Sequence, residues 1–438
     1  MSGWRSIASA AGAKVVVMAV TGLIGLVTSR LILQHYGVEA YAQYGLLASL
    51  PALLPFADLG IAAVVINAAA ESGDPRGDVR LRRTLTSAIR VLVVSGGIIA
   101  LVAMLLSIFE LWPAILGSGL QEGGGWVAGI CMLLFGLALP LTIGSRLLVG
   151  LGRNTTQIAT QVLTAPTILA CVGGCVVFGI AAGDQLAIFT YVASAVVATV
   201  GLSIAAKLVA PQLGIAIRDV PRVREVRGVP VMHLALPMLV QMLALPVAMQ
   251  SARILISHLQ GSEQLAQYNL GSQIFGIVLQ TISAAGIALW PIYARARATR
   301  SVDSPLGPTL VFLLGGTVLG GVMALLSPFV VELTSAGRLE LDGVLIGAFV
   351  VFIAAQAAKY PVGMYMTDAR GLRFQMLPTL VMIPIAIGLS LVLIPALGAA
   401  GSVIAVTAAV IVCQVIPNLL YVWVDLRRRS RELVLETS

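Results

Sequence analysis

The chain has 438 residues, 58% of them hydrophobic and 11% charged, with a mean hydropathy of +0.99. A soluble protein of this length divides into domains with polar exteriors. This composition excludes that class, and a β-barrel would show short alternating segments instead. The net charge of +8 and pI of 9.6 raise the question of a nucleic-acid partner, which the placement of the charges answers.

Apolar runs long enough to cross a hydrocarbon core of about 30 Å recur from end to end. They predict an all-α membrane protein with twelve transmembrane helices at 10–34, 42–69, 85–109, 127–150, 157–181, 186–208, 231–256, 265–293, 306–330, 344–366, 374–395 and 399–424. The first run is too long for a signal-peptide core, and another span follows it, so it reads as an uncleaved first helix. With the N-terminus in the cytoplasm, every Lys and Arg except Lys14, Arg30, Arg253, Arg338 and Lys359 falls on the inner side. That asymmetry sets the topology of inner-membrane proteins and places both termini inside. The basic loops then need no nucleic acid, because anionic lipid of the inner leaflet balances them. Trp4, Trp112, Trp126, Trp290 and Trp423 fall near predicted span ends, where an indole sits half wet and half dry.

A repeat divides the chain. Arg30-Leu-Ile-Leu-Gln-His35, Gly37, Glu39 and Ala42-Gln43-Tyr44 return as Arg253-Ile-Leu-Ile-Ser-His258, Gly261, Glu263 and Ala266-Gln267-Tyr268. Arg and His recur at an offset of 223 and the remainder at 224. Each copy ends one apolar run and begins another, so two homologous six-helix bundles are expected, over 1–208 and 230–424. A cytoplasmic linker at 209–229, carrying Pro211 and Pro221, joins them, and a basic tail follows at 425–438. Six spans per half make the repeat parallel, about an axis along the membrane normal.

Ionisable groups at membrane depth cost about 2.5–3.5 kcal/mol at a helix centre, so each is a candidate site. On span 7, Gln250, Arg253 and Ser257 share one face. A guanidinium fork there suits phosphate oxygens, and snorkelling to outer headgroups is the other reading. Arg30 is its repeat partner. On span 1 the stripe of Lys14, Thr21 and Thr28 lies roughly opposite Arg30, so only one of the two faces lines a narrow cleft. Span 8 carries Asn269, Gln273, Gly276, Gln280 and Ser283 down one face. Amides facing lipid would be unsatisfied, so this face meets either water or protein. Span 10 has Gln356 and Lys359 a turn apart, and span 12 has Gln414, Asn418 and Tyr421. Asp58 follows Pro51 and Pro55 in span 2. It either caps a resumed helix or titrates as a proton or cation site.

Cys131, Cys171, Cys175 and Cys413 lie within apolar runs without His or carboxylate neighbours, which makes them packing residues rather than metal ligands. The sequence has no Walker A loop, no Asp-x-Asp pair and no Ser/His/Asp grouping, so neither cofactor nor enzymatic chemistry is expected. The outer loops are too short to house a catalytic domain.

Arg30 to Gly37, Tyr41 to Tyr44, Asp58-Leu59-Gly60 in a long span 2, and Trp290-Pro291 closing span 8 resemble the polysaccharide-biosynthesis flippases. These are the O-antigen-type translocases of the multidrug/oligosaccharidyl-lipid/polysaccharide exporter superfamily. The resemblance covers nearly the whole chain by span count and spacing. It implies two six-helix bundles in a V around a cationic cavity, in a bacterial inner membrane. The cargo it implies is an oligosaccharide on undecaprenyl pyrophosphate, with a polysaccharide polymerase and chain-length machinery as further partners. Arg30, Arg253, Gln250, Asn269, Gln273, Gln280 and Lys359 would contact the cargo, and Asp58 or Lys14 would serve coupling. A multidrug/cation antiporter of the same fold is the alternative.

Overall fold

The computed structural model describes residues 2–437 except 55, 56, 59, 223–249, 288, 290, 291, 294–303 and 368; the side chains of 2–16, 18, 19, 63, 284, 287, 369, 372 and 429–437 also lie outside the description. The described residues are helical, without a strand. Eight helical stretches among them are long and apolar enough to cross a membrane: Val79–Ile108, Gly124–Gly150, Asn154–Val177, Leu186–Leu208, Leu306–Ser335, Gly343–Tyr365, Arg373–Leu397 and Ala399–Arg428. They coincide with spans 3 to 6 and 9 to 12 of the sequence reading. Span 1 lies within helix Ser2–Ala48, and helix Ser262–Ile287 carries span 8 as far as residue 287. Most of span 7 lies outside the described residues, with only 250–259 seen as helix.

The chain forms two compact units, Met1–Pro246 and Val247–Ser438. In the first, α1 (Ser2–Ala48) is interrupted at Gly37, which has φ 88° and ψ 179°. Only glycine takes that conformation without strain, so the repeat glycine is the break between the first two spans. Span 2 is not continuous. A 3-10 turn, Leu50–Leu53, opens on Pro51, and helix resumes as α2 (Ile61–Glu71) after Gly60 at φ 72°. Pro51 has no N–H to give to the preceding turn, which explains why hydropathy saw one span and the backbone makes two pieces.

Asp78 begins α3 (Val79–Ile108), accepting from the N–H groups of Arg80 and Leu81 at 2.7 and 3.1 Å. Leu81, Leu85, Ala88 and Leu92 on α3 pack with Ile61 and Val65 of α2. A short helix, α4 (Trp112–Leu116), follows, and α3 meets α5 (Gly124–Ala138) through paired glycines. A Cβ on Gly96 would lie 2.2 Å from the Gly136 carbonyl oxygen, and one on Gly136 would lie 2.4 Å from that of Gly96. Within lipid, apolar burial does not drive helices together, and close backbone approach over small residues takes its place. Pro140 then introduces a 3-10 turn before α6 (Ile143–Gly150), and α7 (Asn154–Gln161) and α8 (Thr164–Val177) divide span 5. Span 6 is α9 (Leu186–Leu208).

The segment read as a linker contains a helix, α10 (Gln212–Asp219), with Leu213 and Ala216 in the core of the first unit. Arg90 of α3 donates to the carbonyls of Asp219 and Val220 at 2.7 and 2.9 Å, supplying a cation to the negative C-terminal end of α10. At the other end, Gln212 Nε2 donates to the Arg76 carbonyl at 2.8 Å.

The second unit repeats the first break. Gly261 has φ +83°, just before helix Ser262–Ile287. The repeat histidines also behave alike, each placing Nδ1 against the carbonyl one turn back, Leu31 for His35 at 3.1 Å and Ile254 for His258 at 2.9 Å. Phe275 stacks on Phe349 at 5.1 Å between ring centroids, joining helix Ser262–Ile287 to Gly343–Tyr365. Helix Leu306–Ser335 packs on the same neighbour, where a Cβ on Gly316 would come within 2.5 Å of Ala357 Cβ.

Of the interfacial tryptophans, Trp126 and Trp423 are about half exposed. Trp112 is buried instead, with Nε1 donating to Ser107 Oγ at 3.0 Å. An indole whose N–H finds a protein partner has no need of the interface. Trp290 lies outside the described residues, as does the Trp4 side chain.

Candidate functional site

The second unit brings together three residues that the sequence reading placed on two different spans. Arg253 Nε donates to Asn269 Oδ1 at 2.9 Å, Arg253 Nη1 donates to Gln250 Oε1, and the guanidinium carbon lies 5.3 Å from the Tyr268 ring centroid. Gln250 is one turn before Arg253 on 250–259, while Tyr268 and Asn269 are on helix Ser262–Ile287. The tight turn at Gly261 folds these helices back on each other, so repeat residues about fifteen positions apart meet. Asn269 is buried and Arg253 half-buried. A guanidinium has five N–H donors in a planar fork. Two are engaged here, and the others make no hydrogen bond among the described residues. The amides therefore fix the plane of the group and leave donors for an anion. Ser257, on the same face, is fully buried.

Along helix Ser262–Ile287 the amide stripe passes from buried to open. Asn269 is buried, Gln273 half-buried and Gln280 exposed, and a Cβ added at Gly276 would meet nothing within 4 Å. The other side of the helix carries the packing, through Phe275 on Phe349 and Gly286 against Tyr360. Lys359 is half-buried, with Nζ 6.0 Å from the Tyr360 ring centroid, a turn beyond buried Gln356. On the last span a π-helical turn, Ile411–Val415, contains Gln414, whose Nε2 donates to Thr379 Oγ1 at 3.5 Å.

In the first unit Arg30 is half-buried on α1. Lys14 is on the same helix and its side chain lies outside the described residues. Thr21 and Thr28 donate to the carbonyls of Val17 and Ile24 at 2.7 and 2.9 Å, so both hydroxyls spend their proton on their own helix. Asp58 takes the capping role in modified form. Its Oδ1 accepts from the Gly60 N–H at 3.0 Å just before α2 begins, and its carbonyl accepts from Ile61 N–H at 2.9 Å. Its Oδ2 lies 3.6 Å from Arg146 Nη2 on α6. Sequence reasoning counted Arg146 only as an inner-side charge. A carboxylate inside an apolar run calls for a cation, yet nothing in the spacing of 58 and 146 names which one.

This arrangement, with eight apolar helices among the described residues and the same glycine break in each unit, defines a multi-pass membrane protein. Its fold is that of known transporters. A multidrug resistance MATE family transporter of the MOP superfamily, inward-facing, aligns with a TM-score of 0.64 at 16% identity, covering 96% of this chain and 99% of that one. The lipid II flippase MurJ in its inward closed conformation gives 0.66 at 12% identity, over 96% and 90% of the two chains. The MATE multidrug transporter DinF-BH gives 0.62 at 16%, over 95% and 94%. At these identities the likeness is one of fold. No family model and no curated protein matches the sequence.

Proposed function

We propose that this protein is a flippase that moves an oligosaccharide linked to undecaprenyl pyrophosphate from the inner to the outer leaflet by alternating access, in surface polysaccharide assembly. The observation that carries the reading is the Arg253 group. A cation held by Asn269 and Gln250 and backed by Tyr268, with donors to spare, is made for an anionic oxygen ligand. The same helix continues into exposed amides, at Gln280, suited to sugar hydroxyls. The presence of a lipid II flippase among proteins of this fold supports a lipid-linked cargo.

In this reading the chain crosses the bacterial inner membrane twelve times with both termini inside. Arg253 and Arg30 grip phosphoryl oxygens, while Gln273, Gln280 and Lys359 contact the glycan. Lys14 or Asp58 serves coupling, and polymerase and chain-length proteins receive the product. An inside-negative potential favours outward movement of an anion by about 2.3 kcal/mol per charge per 100 mV, which drives a pyrophosphate headgroup in the required direction.

The competing reading, a multidrug/cation antiporter, draws on the MATE transporters of like fold. Such a carrier uses buried acid to receive its cargo, and Asp58 already has Arg146 beside it. A strain whose surface polysaccharide depends on this protein separates the two. Arg253→Ala at wild-type protein level should abolish polysaccharide export there, and normal export would remove the phosphoryl role.

A further inference from the structure

We infer that Arg146 forms a phosphoryl-binding subsite in the first unit, and that Asp58 is its built-in counter-ion, exchanged for the cargo's phosphoryl oxygen when cargo binds. This rests on the proposed phosphoryl-bearing cargo, and adds to it a site on the other half of the chain, formed by residues 88 positions apart.

Three features of the pair carry the inference. The Nη2–Oδ2 separation is 3.6 Å, within ionic range but longer than the 2.7–3.2 Å or so of a formed N–H···O bond. Arg146 makes no hydrogen bond among the described residues, unlike Arg90, which gives Nε and Nη2 to backbone carbonyls. The fork is therefore electrostatically occupied and chemically unsaturated, a state that a phosphoryl group with several charged oxygens improves on by forming short paired bonds. Next comes access. The Arg146 side chain is 43% exposed and that of Asp58 is 22% exposed, so the cation is the open partner and the acid the recessed one.

The third feature is what happens to Asp58 once Arg146 is taken. A recessed carboxylate deprived of its cation is costly unless another positive group remains. Here Oδ1 keeps the Gly60 N–H, and the carboxylate sits at the start of α2 (Ile61–Glu71), the positive end of that helix. Ser95 Oγ donates to the Ala57 carbonyl at 2.6 Å and fixes the adjoining turn to α3. The broken span 2 thus supplies a resting place for the acid, and the exchange leaves neither charge stranded. A purely structural ion pair would need no such second support.

The side-chain geometry also provides a clean substitution. Asn at position 58 retains the oxygen that accepts from Gly60 and removes only the charge. The test uses the full chain in nanodiscs of neutral lipid, with inorganic pyrophosphate as titrant and phosphatidylglycerol-doped discs in parallel. Asp58→Asn should tighten pyrophosphate binding about three- to tenfold, as loss of a partly buried counter-ion implies. Arg146→Gln should weaken it by a similar factor, and the double variant should behave like Arg146→Gln. No gain in Asp58→Asn, with Arg253→Gln still weakening pyrophosphate, overturns the exchange and leaves the cargo reading intact. A gain in Asp58→Asn with Arg253→Gln without effect upholds the subsite and removes the Arg253 grip. Equal tightening for phosphatidylglycerol gives the subsite to bulk anionic lipid and overturns its role in cargo binding. Should Asp58→Asn fail to fold, Arg146→Gln and Arg146→Lys decide. A loss in the first with partial recovery in the second upholds the cation's role, and wild-type binding in both overturns it.

Discussion

The two halves make the same turn between their first two helices, but they secure the helix after it by different means. Gly37 and Gly261 both take positive φ, and His35 and His258 bond back alike. Tyr36 and Gln260, at the repeat offset of 224, both donate to a carbonyl near the start of the loop before the last span of their half, Ile180 at 3.0 Å and Ile394 at 2.8 Å. Then the halves diverge. Gln43 donates to the Asp184 carbonyl and accepts from the Gln121 N–H, both at 2.6 Å, tying two loops to one side chain. Its counterpart Gln267 is buried, and its Oε1 has no hydrogen-bond partner among the described residues. Gln264, a turn earlier, takes a loop contact from Ala399 N–H at 2.8 Å. The repeat thus preserves the positions that shape the turn, while the positions around it have become a double latch in one half and the Arg253 group in the other.

Substitutions can break that comparison. Gln43→Leu strands two backbone groups and should cost about 3 kcal/mol, since each unsatisfied buried group costs about 1–3. Chemical unfolding in detergent measures it, and a loss comparable to that of Gln267→Leu would erase the distinction. Gly37→Ala and Gly261→Ala should each cost about 1–3 kcal/mol, the strain of a side chain in that backbone region. A large difference between them would show that the two turns are not equivalent. Tyr36→Phe and Gln260→Leu should each cost about 1 kcal/mol, one net hydrogen bond. Gln267→Leu should be neutral or slightly stabilising, within about 0.5 kcal/mol, because it exchanges a buried acceptor without a partner for apolar volume.

Hydropathy and the repeat disclosed the class of protein, the spans that are now helices, and the face shared by Gln250 and Arg253. They also placed Asn269 on a lining stripe, although not against Arg253, since that contact depends on the fold-back at Gly261. Pro51 and Pro55 hinted at trouble in span 2, yet a window average cannot register a break flanked by apolar residues. The docking of α10 was hidden because a short amphipathic helix between Pro211 and Pro221 resembles a linker until Arg90 is found at its end. The Asp58–Arg146 pair and the Gln43 latch join residues 78 to 141 positions apart. Periodicity carries no information at that range.

The proposed transport turns on the fixed guanidinium of Arg253 handling a phosphoryl-bearing lipid glycan. Its most direct test is translocation of a fluorescent undecaprenyl-pyrophosphate oligosaccharide in proteoliposomes, scored by the fraction that reaches the far leaflet, beside transport of a cationic dye. The account predicts time-dependent glycan translocation by the wild type, a drop of roughly tenfold or more in Arg253→Ala, poor rescue by Arg253→Lys because an ammonium lacks the fork, and no dye transport. Dye transport without glycan translocation would contradict it.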